Sequence, residues 1–148
     1  MIRRALVQSG VREEAAQSVA VALVSAEAEG QVGHGFSRLA DYAAQVRTGK
    51  VQGDALPIVS RPARGTIMVD AGFGFAYPAL DAGISAGIAA AEEVGTVAMG
   101  ISRSHHCGAL SIQVEKIASA GLIGLMVANA PAAIAPWGAR EAVYGTNP

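Results

Sequence analysis

Three histidines, His34, His105 and His106, are the residues in this sequence best suited to acid–base chemistry. His34 stands between two glycines after a predicted helix, and the adjacent pair follows a predicted strand. Imidazole can move protons near neutral pH, and open α/β sheets bind ligands at the carboxyl ends of their strands. His34 and His106 are therefore candidates for a general acid or base. The alternative for each is a structural histidine at the end of an element.

The histidine pair also allows two other chemistries, a metal site and a thiol nucleophile. Adjacent residues in an extended segment point to opposite sides, and the sequence has no Cys-x-x-Cys or His-x-x-x-His partner for them. We therefore predict no metal site. Cys107 lies beside His106, which is compatible with a cysteine hydrolase only if thiol and base converge in space. The alternative is a small buried residue of the turn.

A possible anion-binding residue and a glycine-rich turn complete the local signals. Arg38 follows His34 by four residues and falls in the first turn of the next predicted helix. Its guanidinium could bind a carboxylate with two hydrogen bonds, or it could be a solvated helix residue paired with Asp41. Residues 70–74 begin like a dinucleotide-binding fingerprint, but Tyr77 stands where the third glycine belongs. A simple strand-to-helix turn is favoured there.

These residues need an α/β framework to position them. The chain has 148 residues, of which 51% are hydrophobic and 16% charged, so it can bury a substantial core and is not disordered. Apolar strands that alternate with helices imply a sheet buried on both faces. The predicted fold has N-terminal helices and a connector in residues 1–64 and a βαβαβ sheet segment in 65–148. Helices are predicted at 13–29, 36–47, 78–94 and 109–120, strands at 66–70, 96–101 and 122–128, and an extended connector at 50–64.

Composition excludes several classes of protein. A net charge of -1 does not fit a nucleic-acid binder. One cysteine excludes an internal disulfide framework and suits a reducing compartment. No signal peptide is visible, and prolines interrupt the uncharged stretch 117–139, so we expect a soluble cytoplasmic protein without a membrane partner. A new element starts near residue 144, so we expect the chain to be the front part of a longer protein.

Four ordered segments together resemble the N-terminal part of the type 2 malate/L-lactate dehydrogenase family. Each segment is a weak signal alone, and their order and spacing make the match specific. The segments are Ala28–Arg38 with Tyr42 and Gly49, Val69–Asp70 with Gly74, Ser102–Ser111, and Ala135–Gly138 followed by Tyr144–Pro148.

The resemblance implies a fold, a reaction and an assembly. The fold is an NAD(P)-binding fold distinct from the Rossmann fold, incomplete in this chain. The reaction is hydride transfer between NAD or NADP and a small 2-oxo or 2-hydroxy acid of the malate, lactate or ureidoglycolate type. A homodimer is expected. The alternative is a truncated, non-enzymatic fragment that needs a missing half or a partner.

The resemblance also assigns residues to roles. His34 or His106 gives or takes the proton, and Arg38 holds the substrate carboxylate, with Gly33 and Tyr42 beside the substrate. Gly33 stands where the family usually has serine, which removes a hydroxyl next to His34. The residues expected near the cofactor are Ala130, Thr146 and Asn147.

Overall fold

A computed structural model describes residues 1–148 and shows an α/β fold, which confirms the predicted class. The fold has five α-helices and a three-stranded sheet, of which only the fourth helix packs on the strands, and two short 3-10 turns lie at Val32–His34 and Phe36–Arg38. In chain order the elements are α1 (Ile2–Gln8), α2 (Glu13–Ala28), α3 (Leu39–Arg47), β1 (Ile58–Ala63), β2 (Thr66–Asp70), α4 (Ala76–Val94), β3 (Ala98–Ser102) and α5 (Leu110–Ser119).

The sheet has the order β1-β2-β3. β1 runs antiparallel to β2, whereas β2 and β3 are parallel and are joined through α4. In the parallel pair Thr66 lies opposite Ala98, and Asp70 lies opposite Ser102. Both strands therefore end at the same edge of the sheet, and the loops that follow them emerge side by side.

The largest core cluster connects the N-terminal helices with this edge. Leu23 of α2 and Tyr42 of α3 are almost completely buried together with Phe75 and Tyr77, which stand at the start of α4. Alanines dominate the buried face of α2, and their small side chains permit close approach of neighbouring helices. The helical region thus holds its aromatic residues directly beneath the loops at the strand ends.

The predicted connector 50–64 and the N-terminus contain elements that the sequence did not reveal. β1 lies inside the connector, and all six of its residues are exposed. An exposed strand has no alternating apolar pattern to recognise, and Pro62 disguises it further. The β1–β2 hairpin spans the predicted division between residues 64 and 65, and that division stays a prediction. α1 is too short to show a helical period.

The predicted strand 122–128 does not form, so the sheet segment ends after β3 and α5. The segment joins no sheet in the structure. The side chains of Ile123, Leu125 and Val127 are exposed, whereas Met126 packs against the cluster on α4. A strand requires a neighbour to accept its ladder hydrogen bonds, and apolar β-branched composition alone does not supply one.

Two adjacent residues of α2 test which face of this helix carries the packing. Leu23 is completely buried and Val24 is 48% exposed. We expect Leu23→Ala to lower the free energy of unfolding by about 2–5 kcal/mol, because it leaves a cavity. Val24→Ala should change it by less than about 0.5 kcal/mol. Urea unfolding with an unchanged slope measures both, and equal losses would contradict the packing of α2 described here.

Candidate active site

The structure brings the predicted histidines His34 and His106 together at the carboxyl edge of the sheet. Their rings are stacked, with centroids 5.3 Å apart and planes 16° from parallel. Nδ1 of His106 lies 2.7 Å from the hydroxyl of Tyr42. His34 arrives on the 3-10 turn after α2, and His106 arrives on the loop after β3. Residues 72 positions apart in the sequence therefore share one site.

The turn that carries His34 is held against α2 by its glycine and by a carboxylate. A Cβ atom on Gly35 would lie 3.1 Å from the Cα of Glu27, so only glycine allows this approach without a shift. The Glu27 side chain accepts the backbone N–H of Phe36 at 2.8 Å. By contrast, Gly33 has open space around the position of a Cβ atom.

Arg38 is half-buried and has no carboxylate partner in the chain. Its Nε donates to the carbonyl of Gly33 at 2.6 Å, which ties the arginine to the turn beside His34. No ion pair with Asp41 forms. The positive charge of Arg38 lies close enough to His106 to lower the pKa of its imidazole. A half-buried guanidinium without an anion is suited to bind one from outside.

Burial and nearby charge keep His106 neutral at pH 7. Desolvation of the ring, followed by the positive charges of Arg38 and His34, lowers the pKa of His106 to about 4. The residue is still exposed to solvent on one side. Its Nε2 forms no hydrogen bond within the chain, because the only hydrogen bond of the ring joins Nδ1 and the Tyr42 hydroxyl. A ligand can therefore reach this ring.

Tyr42 is 2% exposed, and its hydroxyl lies within hydrogen-bond distance of two partners. One is Nδ1 of His106, and the other is the hydroxyl of Tyr77 at 3.0 Å. Burial raises the pKa of both tyrosines, so both hydroxyls stay protonated. The assignment of Tyr42 to substrate contact stays a prediction. The contacts described here place its hydroxyl behind the histidine.

His105 packs into the aromatic cluster, with its ring centroid 6.4 Å from that of His106 and the two planes 78° apart. Its Nε2 lies 2.5 Å from Oε1 of Gln45, and its ring stands edge-on against Tyr42 and Phe75. Burial, followed by the charges of His106 and Lys50, lowers its pKa to about 4. A packing role therefore suits His105.

The other candidate residues lie outside this cluster. The thiol of Cys107 is half-buried, and burial raises its pKa, which disfavours the thiolate that a nucleophile needs. Among the predicted cofactor residues, Oδ1 of Asn147 accepts the N–H of Ala130 at 2.8 Å, and Thr146 lies next to this bond. No hydrogen bond or ring contact joins the segment of Ala130 and Asn147 to the histidine cluster.

The residues fit the expected substrate better than they fit the expected cofactor. The imidazoles and Arg38 fit a small anion with a reducible carbon, and Nδ1 of His34 is buried without a partner. Asn147 and Thr146 are exposed on an open surface without a surrounding cradle. The structure therefore groups the imidazoles and Arg38, and it places Asn147 and Thr146 apart from them. The described residues contain no group of three His, Cys, Asp or Glu side chains that could hold a metal ion.

The sequence did not indicate several of the residues that shape the site. The sequence drew attention to Tyr77 only because it occupies the position of the third glycine in the dinucleotide-binding fingerprint. An aromatic residue at the start of a helix beside a strand end is nevertheless a signal for packing at that edge. Arg103 forms an ion pair with Asp70, which lowers the pKa of that carboxyl. Its carbonyl also accepts the N–H of Phe73 at 2.6 Å. These contacts fix the loops after β2 and β3 to each other.

The whole chain, residues 1–148, matches the malate/L-lactate dehydrogenase family, and the protein belongs to that family. It is 45% identical to a (2R)-3-sulfolactate dehydrogenase (NADP(+)) from Chromohalobacter salexigens over 97% of this chain and 43% of that protein. It is 38% identical to a Delta(1)-pyrroline-2-carboxylate reductase from Ancylobacter novellus over 100% of this chain and 43% of that protein. The chain thus spans less than half the length of these curated relatives.

Solved structures show the same fold. Malate dehydrogenase from Pyrococcus horikoshii superposes with a TM-score of 0.91 at 30% identity over 99% of this chain and 42% of that one. A delta1-piperideine-2-carboxylate reductase from Pseudomonas syringae gives 0.83 at 35% identity over 99% and 44%. The relatives are named as NAD(+)- or NADP(+)-dependent dehydrogenases or as reductases, which supports the predicted cofactors. No helix in the structure has both the length and the apolar character to cross a membrane.

Two glycines beside His34 give a matched pair of variants. We expect Gly35→Ala to lower the free energy of unfolding by about 1–3 kcal/mol, because the new methyl group presses on the backbone of Glu27. Gly33→Ala, which meets open space, should cost less than about 1 kcal/mol. Thermal unfolding of both variants measures the difference. Similar losses would show that the turn does not rest on α2 as described.

The low pKa values of His105 and His106 predict how the free energy of unfolding depends on pH. An ordinary imidazole in the unfolded chain binds a proton near pH 6.5, whereas folded His105 and His106 do so only at about 4. The unfolded state therefore takes up more protons between these values. The stabilisation is fully present above pH 6.5 and is lost as the pH falls towards 4. Urea unfolding from pH 7.5 to 4.5 measures this loss, and His105→Gln should flatten it. A slope that does not change in this variant would contradict the prediction.

Proposed function

We propose that this chain carries the proton-transfer and carboxylate-binding part of an NAD(P)-dependent dehydrogenase that acts on small 2-oxo or 2-hydroxy acids of the malate, lactate or ureidoglycolate type. The observation that supports it is the stacked pair His34 and His106 beside the unpaired guanidinium of Arg38. This arrangement pairs a group that moves protons with a group that binds an anion. A cytoplasmic homodimer is part of the same proposal.

The proposed reaction needs two contributions besides substrate binding. The nicotinamide, when bound, supplies the hydride that forms the new C–H bond. The carbonyl electron pair then moves to oxygen, and this oxygen takes a proton from an imidazole of His106 or His34. In the oxidation direction an imidazole with an unprotonated nitrogen facing the substrate takes the hydroxyl proton. Arg38 holds the carboxylate so that the reacting carbon lies in a fixed place.

Substrate binding would itself adjust the proton affinity of the site. The positive charge of Arg38 is one cause of the low pKa of His106. A carboxylate bound to Arg38 offsets this charge, so the pKa of His106 rises when substrate arrives. The free protein thus holds a neutral ring, and the loaded protein more readily holds a protonated one. Proton donation then becomes available when there is an acceptor for it.

The chemistry of the relatives' named substrates supports this class. Sulfolactate and pyrroline-2-carboxylate share a carboxylate attached to the carbon that is oxidised or reduced. A guanidinium matches the carboxylate, and a nearby imidazole matches the reacting group beside it. These two groups leave the remainder of the substrate undetermined. Gly33 also leaves space beside His34, because no atom lies near the position of its absent Cβ atom.

A second candidate is a fragment without activity of its own that associates with a missing half or a partner. It is favoured by the exposure of Ile123, Leu125 and Trp137, which leaves large apolar side chains in water. Titration with NADH, followed by fluorescence, distinguishes the two candidates. Saturable binding to the chain favours the enzyme, and the absence of binding favours the fragment.

The proposal predicts the effect of removing each imidazole. In a version of the protein that has the full length of its relatives, oxidation of NADH or NADPH by a 2-oxo acid measures turnover. We expect His106→Ala or His34→Ala to lower kcat by about 10²–10⁴-fold, the usual contribution of a general acid. Arg4→Gln, an exposed cation on α1, is the control and should not change turnover. Unchanged turnover in both histidine variants would refute the proton-transfer role.

A further inference from the structure

Tyr77, Tyr42 and His106 form a continuous hydrogen-bonded line from the core to the site. The two hydroxyl oxygens are 3.0 Å apart, and the Tyr42 oxygen is 2.7 Å from Nδ1 of His106. Both tyrosines are 2% exposed, so water does not compete for these bonds. Tyr77 forms no other side-chain hydrogen bond.

The direction of the protons along this line follows from the missing acceptor at its inner end. If Tyr77 donates to Tyr42 and Tyr42 donates to Nδ1, every hydroxyl proton has an acceptor. If Nδ1 instead carries a proton and donates to Tyr42, then Tyr42 must donate to Tyr77. The proton of the Tyr77 hydroxyl is then buried without an acceptor. Leaving a buried donor unsatisfied costs its lost hydration, so the first direction is preferred.

We propose that Tyr77 and Tyr42 are positioning residues that hold His106 in the tautomer with its proton on Nε2, so that the ring presents a hydrogen-bond donor to the substrate oxygen. The inference rests on the proposed function only for the identity of that oxygen. The tautomer itself is a property of the protein without ligand.

The surrounding packing keeps the line in place. Gly108 has a φ of +69°, and a Cβ atom there would lie 3.0 Å from Cε1 of Tyr77. The loop after His106 can therefore rest directly on the Tyr77 ring only because residue 108 is glycine. The ring of Phe75 lies 5.3 Å from that of Tyr42 and limits its movement. His34 covers one face of His106, which leaves the Nε2 edge of the ring for a ligand.

The line has a chemical consequence for the neutral ring. Tyr42 donates to Nδ1, which places the only ring proton of neutral His106 on Nε2. There the N–H can donate a hydrogen bond to a substrate carbonyl oxygen. Donation by Tyr77 to Tyr42 polarises the second hydroxyl and strengthens its bond to Nδ1. A second ring proton would have to enter at Nδ1 and reverse both hydroxyls. The line therefore resists protonation of the ring until a bound anion favours it.

Nuclear magnetic resonance of the 148-residue chain with ¹⁵N-labelled histidine tests the tautomer directly. At pH 7.5 we expect Nδ1 of His106 to give the signal of an unprotonated nitrogen and Nε2 that of a protonated one. Tyr42→Phe removes the donor and should produce a mixture of tautomers. It should also raise the apparent pKa of His106, because a hydrogen bond to the neutral ring is lost. Tyr77→Phe should change the Nδ1 signal in the same direction by a smaller amount.

Tyr144→Phe is the matched control, because Tyr144 is 58% exposed and its hydroxyl has no partner. It should leave both signals unchanged. A protonated Nδ1 in the unmodified chain would overturn the proposal, and so would a Tyr42→Phe spectrum identical to it. If only Tyr77→Phe matched the unmodified chain, the positioning role of Tyr77 would be refuted.

Kinetics separate this inference from the proposed function. In the longer form that turns over, Tyr42→Phe should lower kcat about tenfold with little change in KM, because the contact between Arg38 and the carboxylate is intact. The NMR result requires no turnover, so a fixed tautomer in a protein that lacks activity would contradict only the proposed function. Full activity in Tyr42→Phe, with a changed tautomer, would contradict only the role of the tautomer in catalysis.

Discussion

The site depends on the burial of the Tyr42 side chain beneath the ends of β2 and β3. Tyr42 belongs to the N-terminal helices, His106 belongs to the sheet region, and their hydrogen bond of 2.7 Å joins the two. A buried hydroxyl must find a partner or lose the free energy of its hydration. Two partners with fixed positions therefore restrict where α3 lies relative to α4 and to the loop after β3. The same bond that stabilises the packing also sets the orientation of a candidate catalytic ring.

Local periodicity explains which elements the sequence revealed. Residues 13–29, 78–94 and 109–120 were predicted as helices and are confirmed within one or two residues, because each has an apolar stripe and a terminator. The strand 66–70 is confirmed, with Ile67 and Val69 buried and Met68 exposed, and β3 is confirmed after a glycine stop. β1 was missed because it contributes backbone pairing and no buried side chains. The segment 122–128 was predicted wrongly because strand composition does not provide a pairing partner.

The candidate site was only partly accessible to sequence analysis. The proximity of Arg38 to the turn that carries His34 follows from their separation of four residues and could be predicted. The convergence of His34 with His106 depends on the packing of α2, on the parallel register of β2 and β3, and on the ion pair between Arg103 and Asp70. No local spacing encodes these contacts, and the order of motifs shared with a family provided the only hint. Tyr77 was misjudged because its position was compared with that of a glycine in another fold.

The electrostatics of the site explain why a small carboxylic acid suits it better than a neutral ligand. Arg38, His34 and His106 lie together, and the chain provides no carboxylate to balance them. The protein keeps His106 neutral instead, at the expense of its proton affinity. An anion that binds Arg38 removes part of the repulsion, so binding and protonation favour each other. A neutral carbonyl compound could accept the same hydrogen bond from Nε2 but would not restore the proton affinity of the ring. In the proposed reaction, discrimination for acids would then arise in the proton-transfer step as well as in binding.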